Sequence, residues 1–399
     1  MKAHSARINV VLYKLFVLFN EPLFWGPIVI TSLQTLGRMS LPDIYFMESA
    51  VMVICVLLDI PAGALADVIG RKKTLIIGRV FLLMSTIGFA FMKSPTEAWI
   101  ANILWSIGFS FQSGADQALL YSTLSQARIK KSFTKIEGCA RGSRYILIAV
   151  CSLAVGWLAE INLRLPLLLS IPLMLVPLVS AFFLKEERVA NSYSAKKQLD
   201  VLWKGVVFVI KKPEVRWIIA LCALIMGASK IWFFTYNPYF EKVGIPLKYF
   251  GVIFFFLNIV AWFFSHYAHS FEKLLKERVC IVLLITCVGV PIVVMGLFPC
   301  WPVALLIVVQ NFARGFMAPF VANFMNKHID SEEIRATALS VRSTLTEVVS
   351  IFSLMWFGFM DKSLGLLSSL ILLGTIVLVL GRISYVRYKS LFSETQVRK

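Results

Sequence analysis

Long apolar stretches alternate with short polar interruptions from one end of this chain to the other. Twelve of them stand out, at 10–33, 42–63, 74–92, 98–121, 137–160, 166–184, 217–239, 250–266, 279–298, 301–324, 337–360 and 364–381. Each approaches the roughly 20 residues an α-helix needs to cross hydrocarbon. Helices are predicted rather than strands. A segment in lipid has to satisfy its own backbone, and a barrel would show short alternating strands instead. The first stretch does not read as a cleaved leader, because it holds Lys14, Asn20 and Glu21 and lacks a small-residue cleavage site.

Composition strengthens the membrane reading. Only 16% of the 399 residues are charged while 58% are hydrophobic, and the mean hydropathy is +0.79; a soluble domain carries about 25% charged residues. The expected fold is therefore all-α, with twelve transmembrane helices and no sizeable soluble domain. Charge then sets orientation. With the N-terminus in the cytoplasm, about two-thirds of the 40 Lys and Arg fall on cytoplasmic segments, the bias that directs insertion. A dozen spans would return the C-terminus to the same side, making a multi-pass protein of a bacterial inner membrane. The net charge of +18 follows from that topology, with anionic lipid headgroups as its natural partners. Nucleic acid is not an expected partner, since no soluble element exists to read a groove.

Seven cysteines form no CxxC pair and read as packing residues. His266 and His269 are the one local histidine pair, expected on one face at the end of the eighth span. No HExxH or acidic partner completes a metal site, so no metal and no cofactor is expected. No Walker loop, GxSxG elbow or GxGxxG turn appears, which argues against an enzyme with catalytic residues.

A polar gap divides the chain into halves of six spans. The expected division is a bundle at 1–184, a cytoplasmic linker at 185–215, and a second bundle with a basic tail at 216–399. Within the linker, Lys196, Lys197 and Lys204 alternate with Leu199, Val201, Leu202, Trp203, Val206 and Val207, a pattern suited to an amphipathic helix on the inner leaflet. Trp25 precedes Gly37 by the same interval as Trp232 precedes Gly244, a trace of internal repetition.

The sharpest local signal joins the second and third spans: Gly63-Ala-Leu-Ala-Asp67-Val68-Ile-Gly70-Arg71-Lys72-Lys73. Here Gly63 would permit close helix contact and Gly70 a tight turn, while Asp67 places an acid at a helix end and Arg71 offers a planar fork. The run resembles the signature loop of the major facilitator superfamily of secondary transporters, G-x-L-a-D-r-x-G-R-k, with Val68 where arginine is common. The segments LDIPAG at 58–63, SGADQALLY at 113–121 and RATALS at 335–340 look like a bacterial clade of that superfamily with poorly defined substrates. The fifth span lacks the proline-containing motif of drug–proton antiporters.

The resemblance implies two six-helix halves, a signature loop that latches a cytoplasmic gate, and a solute cavity lined by spans 1, 4, 7 and 10. Mid-span charge is costly and marks function. Glu21 in span 1, Lys230 in span 7 and Arg314 in span 10 are accordingly the first candidates. Lys230, Arg314, Gln310, Asn311 and Trp25 are expected to bind solute, and Glu21, with Asp116 and Glu347, to bind the coupling proton. Gly63, Asp67, Gly70, Arg71, Asp59, Arg141 and Arg144 are assigned to the cytoplasmic gate, with Glu137 and Arg141 paired i,i+4 on one helix. A permanent Glu21–Lys230 bridge is the structural alternative. The expected activity is proton-coupled movement of a small anionic or zwitterionic organic solute by a monomer. Export of drugs, amphiphiles or lipid is the alternative within transport, and a receptor that binds ligand without moving it is the alternative outside it.

Overall fold

The computed structural model describes residues 3–127, 133–186, 203, 206–329 and 332–397. No strand occurs among the described residues. The helices are α1 (Ala3–Leu18), α2 (Val29–Thr35), α3 (Leu41–Ile69), α4 (Arg71–Phe91), α5 (Pro95–Gln112), α6 (Ala115–Gln126), α7 (Phe133–Ile161) and α8 (Leu165–Phe183), followed by α9 (Pro213–Lys242), α10 (Lys248–His266), α11 (Ala268–Leu297), α12 (Trp301–Ala304), α13 (Ile307–His328), α14 (Glu332–Leu364) and α15 (Leu366–Val397).

Among the described residues, ten helices are long and apolar enough to cross a membrane. The other two expected spans are broken. Span 1 is α1, a non-helical segment, a single 3-10 turn at Gly26–Ile28 and α2. Its cause is local: Pro22 has no N–H to give the Leu18 carbonyl, and Pro27 interrupts a second time. Span 4 is α5 and α6, parted at Ser113 and Gly114, where Gly114 takes a left-handed φ of 74°. The first span, expected over 10–33, is severed here, and Glu21 lies in its break. His266 closes α10 and His269 falls in α11, so the two histidines do not share a helix. The linker helix expected at 195–210 falls largely outside the described residues.

By contacts the chain forms two compact units. Unit 1 comprises 1–40, 50–195 and 247–255, and unit 2 comprises 41–49, 196–246 and 256–399. In unit 1, α4 runs along α5 and α8, while α1 packs on α6, α7 and α8. Backbones meet where Gly78 of α4 faces Gly108 of α5: a Cβ on Gly108 would stand 2.7 Å from the Gly78 carbonyl oxygen. In unit 2, α11 packs on α15 and α13, and α9 contacts α13, α14 and α15. The core of α13 is an i,i+4 ladder of rings, in which Phe316 stacks on Phe312 at 5.0 Å and Phe320 on Phe316 at 5.5 Å.

Candidate functional site

The two broken spans of unit 1 meet through side chains. In a continuous helix the Asn20 carbonyl would accept from the Phe24 N–H. That N–H turns instead to Ser170 Oγ of α8 at 3.4 Å, and Arg79 of α4 takes its place, donating from Nη1 to the Asn20 oxygen at 2.9 Å. Gln112, the last residue of α5, donates from Nε2 to Asn20 Oδ1 at 2.5 Å. Glu21 follows directly. Its Oε1 lies 3.1 Å from Arg144 Nη1 of α7, with the Glu21 side chain 45% exposed and that of Arg144 only 8%. The enclosed carboxyl expected at Glu21 is therefore a partly open one, held by a nearly enclosed arginine.

A second ionic group adjoins the first. Arg141 Nε donates to Glu137 Oε1 at 2.5 Å, the i,i+4 pair expected on α7, and Arg141 Nη2 lies 3.6 Å from Asp116 Oδ2. Tyr13 of α1 donates to Glu137 Oε2, and Gln117 Nε2 to Glu137 Oε1 at 3.2 Å. Asp116 also accepts from the N–H of its neighbour Gln117 at 2.7 Å, an acid in the first turn of α6 where the macrodipole favours it. Arg141 and Arg144, both assigned to the gate from the sequence, thus divide: Arg141 shares one group with Glu137 and Asp116, and Arg144 belongs with Glu21. The groups still sense each other, since the charge of the wholly buried Arg79 interacts with Asp116, Glu21 and Arg144. Trp25, at the end of the break, packs its indole on Phe89 at 4.5 Å and Trp105 at 5.5 Å.

The signature loop has an anchor that sequence reasoning missed. Gly70 takes φ 97°, ψ 146° before α4 begins, a conformation that glycine adopts without the strain a Cβ would bring. Glu186, beyond the end of α8, then accepts from the backbone N–H groups of Arg71 at 2.8 Å and Lys72 at 3.0 Å. A carboxylate on two orphan donors at a helix N-terminus is favoured by hydrogen bonding and dipole together. The adjoining Lys185 is tied to α1: Asn9 donates to its carbonyl at 2.7 Å and accepts from its N–H at 3.0 Å. The Arg71 fork goes to the Ala118 carbonyl of α6 at 2.8 Å, while Asp67 and Asp59 are exposed on α3. Gly63 does not serve close helix contact, because a Cβ there would meet nothing within 4 Å. Acids ahead of a helix are an N-cap signal, but Glu186 caps a helix more than a hundred residues back along the chain, beyond the reach of a local motif.

Unit 2 holds the remaining candidates. Lys230 of α9 is half-buried, with Nζ 5.9 Å from the Phe234 ring centroid. Arg314 of α13 is exposed. Gln310 is 3% exposed with neither Nε2 nor Oε1 hydrogen-bonded, whereas Asn311 donates to the Ile307 carbonyl of its own helix at 3.1 Å. Glu347 is exposed on α14. The counterpart of the signature loop in this half lacks its Gly and Asp, yet α11 breaks at Lys276 with φ 63°, ψ 155°, nearly the backbone of Gly70. Beside it, Glu272 receives Lys327 Nζ at 2.5 Å and Asn323 Nδ2 at 2.7 Å. No cluster of metal-ligating side chains occurs among the described residues.

A helical membrane protein whose discontinuous spans carry buried, mutually paired charge has the construction of a secondary transporter. Comparison with known proteins gives the family. The profile of the Major Facilitator Superfamily matches residues 10–354, and the chain belongs to that superfamily, a family of transporters and not of enzymes. It is 21% identical over 342 residues to YxaM of Bacillus subtilis (strain 168), described as an uncharacterized MFS-type transporter, covering 80% of this chain and 81% of that one. Its fold is similar to that of the nucleoside transporter NupG, with a TM-score of 0.78 at 15% identity over 98% of this chain and 100% of the other. It is similar also to a D-xylose-proton symporter, with a TM-score of 0.70 at 14% identity over 96% and 97%.

Proposed function

We propose that the protein is a proton-coupled secondary transporter of the bacterial inner membrane, monomeric and with both termini in the cytoplasm, that moves a small anionic or zwitterionic organic solute by alternating access. The observation that carries this reading is the Glu21–Arg144 pair at the break of span 1. Glu21 is the acid of that break, reachable by water yet held by a nearly enclosed cation, so its protonation releases Arg144 and its deprotonation recaptures it. Such a pair ties proton occupancy to the arrangement of α7 against the broken span. Asp116 and Glu347 are the secondary proton sites, and the D-xylose-proton symporter is a structural neighbour whose name carries the same coupling.

Solute recognition falls to Lys230 and Arg314 with Gln310 and Asn311, and to the aromatic face of Trp25. Arginine offers a bidentate fork and lysine a mobile point charge, a combination suited to a carboxylate. Gln310 supports the assignment, since a buried amide without partners is costly unless a ligand supplies them. The gate residues are Gly70, Asp67, Arg71, Asp59, Arg141 and Arg144, and the linker 185–215 joins the bundles 1–184 and 216–399, its start pinned by Asn9 and by the Glu186 cap. Anionic headgroups surround the basic cytoplasmic segments.

The test begins with untargeted metabolite comparison of cells and medium with and without the protein, followed by ligand-dependent melting of purified protein with succinate, glutamate, their dimethyl esters and uridine. Stabilisation by an acid but not its ester, lost in Lys230→Gln and Arg314→Gln, is the expected result. Equal response to acid and ester, or preference for tetraphenylphosphonium, would replace the anion reading with drug or amphiphile export. Ligand binding without flux in proteoliposomes would make the protein a receptor.

A further inference from the structure

We infer that Arg79 is a positioning residue that holds the break of span 1 in shape and thereby aims Glu21 at Arg144. The inference rests on the Glu21 reading above for its functional meaning, and on backbone accounting for its geometry. Between α1 and the turn at Gly26–Ile28 the chain has few good bonds of its own. Phe19 N–H to Leu15 and Asn20 N–H to Val17 are both 3.3 Å, and Trp25 N–H to Pro22 is 3.4 Å. The Leu18 carbonyl has lost the donor that Pro22 lacks, and the Asn20 carbonyl has lost Phe24 to Ser170. Against these, Arg79 makes a 2.9 Å charge-assisted bond to the Asn20 oxygen, and Gln112 holds the Asn20 side chain at 2.5 Å. Asn20 is thus clamped through its carbonyl and its amide, one residue before Glu21.

Arg79 is placed for positioning and not for solute. It is 0% exposed, its guanidinium carbon lies 4.6 Å from the Phe16 ring centroid, and Nε and Nη2 make no hydrogen bond. A cation so enclosed is costly, and the cost is consistent with a device that needs a long, charged donor at this position. Its Coulombic neighbours are Asp116, Glu21 and Arg144, so it also biases the pair it aims.

The test uses purified full-length protein and needs no solute. Amide hydrogen exchange is followed at residues 19–25 in wild type, Arg79→Gln and Arg79→Lys. The Gln variant is expected to exchange about tenfold faster at these amides while the body of α1 is unchanged, and Lys, which keeps a charged donor, is expected to restore most of the protection. The Glu21–Arg144 coupling is then measured by a double-mutant cycle of Glu21→Gln and Arg144→Gln. It should vanish in the Arg79→Gln background and survive in Arg79→Lys. Unchanged exchange at 19–25, faster exchange throughout unit 1, or coupling that persists without Arg79 would each overturn the inference. Full pH-driven accumulation in Glu21→Gln would instead remove Glu21 from proton coupling, a separate failure that leaves these exchange and cycle measurements decisive for Arg79.

Discussion

Arg144 Nη1 lies 3.1 Å from Glu21 Oε1, and the two partners differ in enclosure: the arginine side chain is 8% exposed and the glutamate 45%. Removing one charge of a pair strands the other, and the penalty follows the burial of the one left behind. Glu21→Gln leaves an enclosed guanidinium with its Nε already unbonded. Arg144→Gln leaves a carboxylate that is only partly enclosed. Glu21→Gln should therefore lower the melting temperature of the purified protein more than Arg144→Gln, although the arginine also stacks on Tyr145 at 5.2 Å. Equal shifts would mean that the pair contributes little to the resting structure.

The Glu186 cap separates two roles of the signature loop. Glu186→Ala removes the acceptor for the Arg71 and Lys72 N–H groups and should cost about 1 kcal/mol, the usual worth of an N-cap. Arg71→Ala keeps both backbone donors and loses only the bond to the Ala118 carbonyl. In reversible unfolding the Glu186 variant should be the less stable of the two. In transport, Arg71→Ala and Asp67→Asn should slow cycling at equal abundance. A transport defect in none of the three would detach the loop from the gate.

Much of this was legible beforehand because lipid imposes strong rules: span length and helix-only backbone both leave broad signals. The i,i+4 pair of Glu137 and Arg141 was readable because it is local. Arg79 escaped notice because its partner, the Asn20 carbonyl, has no side-chain signature, and a lone arginine among apolar residues of the third span resembles a charge near a membrane interface. The break at Glu21 was half-visible in Pro22 and Pro27, but proline alone does not distinguish a kinked helix from a severed one. Glu186 and Lys276 act through backbone geometry set by distant segments. Gly63 shows the opposite error, in which a motif position was given a packing role that its open surroundings do not support.

Tyr13 tests the second ionic group. Its hydroxyl donates to Glu137 Oε2, while Arg141 and Gln117 share Oε1. Tyr13→Phe leaves a buried carboxylate oxygen without its donor, at a cost of about 1–3 kcal/mol. Because Arg141 remains in place, the variant should still insert and fold, with a lowered melting temperature. A melting temperature equal to wild type would show that water replaces the hydroxyl without loss.

Lys276 carries the last prediction. At φ 63°, ψ 155° a residue with a Cβ occupies a region that is essentially glycine's, and such strain costs about 1–3 kcal/mol. The same turn in unit 1 is made by Gly70 at φ 97°, ψ 146°, so the fold tolerates glycine at this kind of junction. Lys276 is exposed, and the adjacent ion pair uses Glu272 and Lys327, so the substitution removes no buried contact. Glycine adds freedom to the unfolded chain, which offsets roughly 0.5–1 kcal/mol of the relief. Lys276→Gly should still stabilise the protein by about 1 kcal/mol, read as a raised melting temperature or a raised midpoint in reversible denaturant unfolding. A destabilised Lys276→Gly would mean that the lysine side chain contributes more to unit 2 than its backbone strain takes away.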